Sequence, residues 1–438
     1  MGEGETQMKD DLKLLVVGSG GREHAIAKKL LASPHVSQVY CAPGNPGMTV
    51  DGIIPVAISE LDFPALKGFC YEEEIAWTFV GPENALVAGI VDSFEADGLK
   101  IFGPAKTAAQ LEGSKDFAMR FMNKYAVPTA SFATFSDSAS AIAGLAEFSE
   151  PVVIKADGLA AGKGVVIAQT KEQAKEEIAL MFKKGQKRLV LSEFLSGAEY
   201  SLFVAVGRKD YRILPMAQDH KRAFDLDKGL NTGGMGAYSP LPQLPEADYQ
   251  RMLRKVVAPT IAGLRQEEFD YCGILYIGLI MTEQGPKVIE YNVRLGDPET
   301  QVVLPRITSD FAELIDCALN GNALPAIEVT AKACLGVVVA ASGYPGEYLK
   351  GQVLPELKTT DEIKIDYANV SEKAEQFIGN GGRLLCVLAL EDDLQLAQAK
   401  AYSYLAQHEF TDCYYRHDIG TKATGKFSGI DGELKDLA

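Results

Sequence analysis

From Leu12 the chain reads LKLLVVG, then GSGGREH, then AIAKKLLAS, which is an apolar run of strand length, a glycine-rich turn and a helical stretch. The unit recurs. VSQVYCAPG, IAWTFVGP and LKIFGP read as strands, and LDFPALKGFC and NALVAGIVDSFEA as helices between them. Strands alternating with helices bury both faces of a parallel sheet, so residues 11–112 are expected to form a Rossmann-like, doubly wound domain with ligand loops along one edge. Its first turn carries Gly20, Gly21, Arg22 and Glu23, and amides opening a helix can hold a phosphate. The turn is not a G-x-G-x-x-G and no acidic residue ends the second strand, so a plain tight turn explains it as well.

The pattern changes at Gly113. GSKDFAMRFMNKYAV reads as an amphipathic helix, and PVVIKADGLAAGKGVVIA as a hairpin of two β-branched runs around a glycine turn. The helix KEQAKEEIALMF and the strands RLVLSEFL and SLFVAVG follow, then DHKRAFDLDKGLNTGGMGAYSP, which reads as a loop. A helix near Tyr249 to Gln266 and the strands GILYIGLIMTE and PKVIEYNVR complete an α+β unit, expected over 113–325 with a lid subdomain at about 130–200. CLGVVVAASGYPGEYLKG, GGRLLCVLAL and DDLQLAQAKAYSYLAQ imply a small C-terminal α/β domain over 326–432. A chain of 438 residues is long enough for several such cores.

Composition narrows the chemistry. A net charge of −16 repels nucleic acid, so an anionic ligand must be held by local Lys, Arg and backbone amides. The seven cysteines form no close pair, which argues against a zinc ribbon or a disulfide framework. No run is apolar enough to span a membrane, and the start MGEGETQMKDD is neither a secretory signal nor a transit peptide. It reads as a disordered lead-in to a cytoplasmic protein.

Three segments carry chemistry. Lys155 ends a strand, and Gly158, Gly162 and Gly164 form a small-sided turn bearing Lys163. Such a turn can close over a polyphosphate while Lys155 supplies fixed positive charge. It is not a Walker loop, because Val165 stands where a hydroxyl is required. SEFLSGAEYS sets Glu193, Phe194 and Leu195 at a strand end, where the backbone can meet the edge of adenine, and leaves Glu199 for ribose hydroxyls. In VIEYNVRLGDPETQ, strand alternation puts Glu290, Asn292 and Arg294 on one face. A carboxylate and an amide carbonyl suit Mg²⁺, and an adjacent guanidinium can stabilise a transferring phosphoryl group. The bland alternative is the polar face of an edge strand. His24 and His220 lack metal-ligand spacing and read as structural.

NTGGMGAYSP (231–240) and RLGDPETQ (294–301) closely resemble the two signatures of the phosphoribosylamine-glycine ligase family of ATP-grasp enzymes. GGREHA, GPEN, IFGP, QLEGSKDFA, VIKADGLAAGKGV, EFLSGAEYS, QDHKR, GYPGEY, NGGRLLCV and DIG match in order, so the resemblance spans nearly the whole chain. It implies a Rossmann-like domain, two ATP-grasp subdomains clasping the nucleotide, and a C-terminal domain packed on the first. The implied reaction joins glycine to 5-phosphoribosylamine with ATP, through glycyl phosphate, in purine synthesis.

By the same resemblance Lys115 and Lys155 would hold ATP phosphates, Glu193 to Leu195 adenine, Glu199 ribose, and Glu290 and Asn292 Mg²⁺ or Mn²⁺. Gly20, Gly21, Arg22, Glu23 and Glu83 would face the sugar amine, and Asn231 and Gly233 the substrate turn. Arg294 and Asp297 would grip glycine. A monomer or weak dimer is implied. The chain departs from the family in a shorter stretch at KKGQKRLVLS and in Gly229 and Leu230, where Gly-Pro is usual. Rival readings are a carboxylase of the same superfamily, marked by bicarbonate dependence, an NAD(H)-binding oxidoreductase, and a non-catalytic relative that binds ATP without turnover.

Overall fold

The run LKLLVVG is apolar because it is covered on both faces, with Leu14, Leu15, Val16 and Val17 wholly buried. It forms β1 (Leu12–Gly18) in a computed structural model that describes residues 8–159, 164–428 and 434–436. With β2 (Val36–Pro43), β3 (Ile54–Pro55), β4 (Trp77–Val80) and β5 (Ile101–Phe102) it makes a parallel sheet in the order β3-β2-β1-β4-β5. Strand order reverses between β1 and β4, and open α/β sheets bind ligands in the crevice at such a point. The helices Gly21–Leu31 and Glu83–Ala88 both start there. The stretch read as one helix from Asn84 is two, because Gly89 takes a left-handed φ of +95° and ends the first.

A second sheet is antiparallel, β6 (Phe132–Phe135), β7 (Val152–Ala156), β8 (Val165–Ala168) and β9 (Leu189–Glu193) in the order β6-β9-β7-β8. The helices Ser138–Gly144 and Lys171–Lys183 cover it. Ile154, Ile178, Leu189 and Leu191 belong to a core of its own, apart from the two larger ones. A third sheet faces it, built from β10 (Ala198–Val206) and β11 (Tyr211–Ile213) with two later strands described below.

The segment read as a loop holds four strands instead, β12 (Gln218–Asp219), the hairpin β13 (Arg222–Phe224) and β14 (Lys228–Asn231), and β15 (Gly236–Ser239). After them β16 (Gly273–Thr282) and β17 (Gly285–Asn292) complete the third sheet as β11-β10-β16-β17. β12 and β15 leave it for a last sheet. There β18 (Ala333–Ala341), β19 (Ile363–Tyr367), the hairpin β20 (Val370–Lys373) and β21 (Gln376–Gly379), β22 (Arg383–Glu391) and β23 (Cys413–Tyr414) follow in the chain. The order is β12-β15-β18-β22-β19, with β23 on β18. The glycine-rich sequence concealed β12 and β15 because they join this sheet only through β15, whose second partner β18 lies far downstream.

The last sheet also docks on the first. His24 is wholly buried, accepting Tyr367 N–H at Nδ1 (2.9 Å) and meeting Asp51 through Nε2 (2.9 Å), while Lys28 ion-pairs with Asp366. His24 is structural, as its isolation in the sequence implied.

At the switch point Gly18 (φ +125°) and Gly81 leave room for the buried Glu23 side chain. A Cβ on Gly81 would stand 2.1 Å from Glu23 Oε1. Gly81→Ala should therefore destabilise the chain by about 1–3 kcal/mol, the usual cost of overpacking, read as a lower urea midpoint at unchanged slope.

Candidate active site

The ends of β1, β4, β7, β9 and β17 converge on one cleft of about 570 Å³. Its lining includes Arg22 and Glu83 from the starts of the helices that follow β1 and β4, Lys155 and Glu193 to Leu195 from the second sheet and its edge, and Glu290 and Asn292 from the third. Lys115, Gly164, Glu199, Asn231, Gly233, Arg294 and Asp297 reach it too. Residues far apart in the sequence thus share one space.

One end carries fixed cations. Lys115 opens the helix Lys115–Lys124, whose start is capped by Ser114 Oγ accepting from Phe117 N–H (3.2 Å), and its Nζ donates to Gly158 O (2.8 Å). Lys155 is buried and donates to Ile289 O (3.3 Å). Burial lowers its ammonium pKa, against the pull of Glu290 and with the help of Lys115. Glu193 accepts from Ser131 N–H (3.0 Å) and Lys287 Nζ (2.9 Å), which fixes the strand end that Phe194 and Leu195 continue along the wall. Gly158 does not line the cleft but anchors Lys115, and Gly162 and Lys163 lie outside the described residues.

Along the floor, Asn292 Nδ2 lies 3.5 Å from Glu290 Oε1, and Asn292 Oδ1 accepts from Arg294 Nη2 (3.2 Å). The strand stops at Asn292, yet Arg294 still joins the pair. Glu83 takes its Nε (3.1 Å) and Glu112 its Nη2 (2.9 Å). Burial alone would raise both acids. Arg294 and Arg22 instead hold Glu83 down at about 2, whereas burial keeps Glu112 up at about 7 despite Arg294.

The other end is held by arginines. Arg22 is buried, with Nε on Glu23 (2.6 Å) and Nη1 on Leu295 O (3.2 Å). Glu23 also accepts Gly20 N–H (2.7 Å), so the carboxylate of the third helical residue fills the amide turn read as a phosphate cradle. Gly20, Gly21 and Glu23 shape this end without lining the cleft. Arg383, from β22, donates to Gly233 O (2.8 Å), Asp297 O (2.9 Å) and Asp297 Oδ2 (2.9 Å), and Gly233 N–H donates to the Tyr344 hydroxyl (3.0 Å). Two signature segments are thereby tied together from the last sheet.

Among the cleft residues given no role in the sequence reading are Glu112, Asp219, Lys221, Glu299, Tyr344 and Arg383. Each lies inside a segment that carried the family resemblance, which was the available signal. Glu299 is buried, accepts from Ser201 Oγ (3.1 Å), and is raised to about 7 by burial and by Asp219. Among the described residues no three His, Cys, Asp or Glu side chains are arranged to hold a metal, so an ion at Glu290 and Asn292 would need further oxygens from a ligand.

Two antiparallel sheets facing across a cleft, lysines on one wall and an acidic strand end on the other, form an ATP-grasp enzyme. Residues 113–300 match the ATP-grasp (A) domain of phosphoribosylglycinamide synthetase, 12–112 its N domain and 334–422 its C domain. The chain belongs to the phosphoribosylglycinamide synthetase family.

A Streptococcus pyogenes phosphoribosylamine-glycine ligase is 53% identical over 419 residues, covering 94% of this chain and 99% of that one. The crystal structure of a Thermotoga maritima phosphoribosylamine-glycine ligase aligns with TM-score 0.82 at 33% identity, over 93% of this chain and all of that one. The biotin carboxylase domain of a Hydrogenobacter thermophilus 2-oxoglutarate carboxylase shares the fold, with TM-score 0.71 at 15% identity over 93% and 92% of the two chains. Among the described residues no helix is long and apolar enough to cross a membrane.

Glu112 yields a pH test. Its folded value of about 7 exceeds its ordinary 4.5, so the stability it contributes is fully present below pH 4.5 and is lost as the pH rises through about 7. Glu112→Gln removes this loss. Unfolding free energies from urea titrations across that interval should fall less steeply with pH than in the parent chain, Glu299 leaving a residual slope of the same sign.

Proposed function

We propose that this chain joins glycine to 5-phosphoribosylamine with ATP, through glycyl phosphate, releasing glycinamide ribonucleotide, ADP and phosphate in purine biosynthesis. The substrates follow from the names of the S. pyogenes and T. maritima relatives. The observation that carries the reading is the contact series Glu290, Asn292, Arg294 and Glu83, which links the lysine-rich end of the cleft to the end formed by Arg22.

Carboxylates are poor electrophiles, so glycine must first be activated by the γ-phosphoryl group. Lys115 and Lys155 neutralise the polyphosphate, Glu193, Phe194 and Leu195 meet adenine, and Glu199 meets ribose. ATP-grasp enzymes use divalent metal ions. The hard oxygens of Glu290 and Asn292, one strand turn apart, fit Mg²⁺ or Mn²⁺, which would neutralise phosphate charge when bound. Arg294 and Asp297 give glycine's carboxylate and ammonium opposite partners within one small space. Arg22, Glu83, Asn231 and Gly233 face the sugar amine, whose nitrogen attacks the acyl phosphate and expels phosphate.

In this reading the chain divides at 11–112, 113–325 and 326–432, with 130–200 as the lid subdomain. Its separate apolar core supports that role, because such a unit can tilt without repacking the rest. Burying the acyl phosphate from water is what closure would accomplish. The chain acts in the cytoplasm as a monomer or weak dimer.

A coupled ADP assay with each substrate omitted in turn checks the reaction. ADP should appear only with ATP, glycine and phosphoribosylamine together, and release driven by bicarbonate would point to a carboxylase instead. Glu290→Gln should lower kcat by about 100-fold or more with the unfolding midpoint nearly unchanged. Full activity in that variant would remove Glu290 from the chemistry.

A further inference from the structure

Six cationic side chains line the cleft among the described residues, and they differ in what holds them. Arg22, Arg294 and Arg383 are tied to Glu23, to Glu83 and Glu112, and to Asp297. Lys115 and Lys155 rest on backbone carbonyls. Lys221 alone is paired with a carboxylate that the proposed reaction assigns to the nucleotide, its Nζ donating to Glu199 Oε2 at 2.7 Å with Asp219 Oδ1 at 3.8 Å.

The backbone of Lys221 is held by the main chain of the neighbouring turn, and its side chain only by carboxylates. Thr232 N–H (2.7 Å) and Oγ1 (2.9 Å) both donate to Lys221 O, locking it to the Asn231–Gly233 turn. Beyond that anchor lie four rotatable carbons, half-buried and facing the cleft. Lys221, Glu199, Asp219 and Glu290 line one small recess of the cleft, and Lys155 lines the cleft beside the strand that carries Glu290.

We propose that Lys221 is a ribose-released phosphate ligand. In the empty cleft it neutralises Glu199, and when ribose hydroxyls donate to that carboxylate its ammonium transfers to the polyphosphate beside Glu290. The logic is competition for one acceptor. Glu199 cannot serve the ammonium and two hydroxyl donors equally, and an ammonium displaced from it finds its strongest remaining acceptor in the incoming polyphosphate. Occupancy at the sugar is thereby converted into charge at the reacting phosphates, which makes Lys221 a specificity-determining residue for nucleotides with intact ribose.

This inference rests on the ligase reading, and the experiment separates the two. Wild-type chain is assayed for glycine- and phosphoribosylamine-dependent ADP release with ATP and with 2′,3′-dideoxy-ATP, and then Lys221→Met and Lys221→Arg are assayed likewise. No ADP from wild type with ATP would sink the ligase reading itself. If wild type is active, dideoxy-ATP should lower its kcat as well as raise KM, because Lys221 stays on Glu199. In Lys221→Met, kcat with ATP should fall by about 10- to 100-fold, the loss of one charge-assisted contact, and the two nucleotides should then give equal kcat. Lys221→Arg should restore part of both effects. A wild-type kcat indifferent to the ribose hydroxyls overturns the proposal whether or not the variants fold, and so does a dideoxy penalty on kcat that survives in Lys221→Met.

Discussion

Arg294 is the residue on which the arrangement of the cleft depends. Its guanidinium is shared among Glu83 at the start of a helix after β4, Glu112 before the helix Lys115–Lys124, and Asn292 at the end of β17. A largely covered guanidinium left unpaired would cost several kcal/mol, so its pairing favours one mutual placement of these three elements. Glu112 reinforces the junction by also accepting Val293 N–H (2.8 Å), which fixes the strand end in the backbone as well as the side chain. The two acids respond oppositely to one cation because Glu112 lies deeper and Glu83 has a second arginine, Arg22, nearby.

Around that junction the cleft is polarised. Lys115 and Lys155 at one end rest on carbonyl oxygens and stay available to an anion, whereas Arg22 and Arg383 at the other end are already bonded to carboxylates. The first group can neutralise a ligand and the second can shape a pocket. Gly20 shows the same division, since its amide is satisfied internally by Glu23.

Much of this was legible in the sequence where the signal is local. Period and turn chemistry located the parallel sheet, the glycine hairpin strands and the helices from Lys115 and Lys171, because those elements bury a face that their own residues define. Alternation on β17 was enough to bring Glu290 and Asn292 together. What escaped was non-local. β12 and β15 look like loop because both are short and β15 draws its longer ladder from β18, far downstream. Arg383 reads as the first residue of an apolar strand, and nothing near it in sequence shows that Gly233 and Asp297 lie against it. Lys221 looked like one basic residue in a loop until Glu199 appeared beside it.

The placement of β12 and β15 has a consequence for how the chain comes to be folded. They are bracketed in sequence by β10 and β16, and β15 hydrogen-bonds with β12 on one edge and with the strand that begins at Ala333 on the other. As a nascent chain leaves the ribosome, β12 can pair with β15 at once, but the other edge of β15 must wait without its ladder while nearly a hundred further residues are made. The turn at Gly233, which Arg383 of β22 ties to Asp297, is therefore among the last parts of the cleft to set, once β22 has been synthesised.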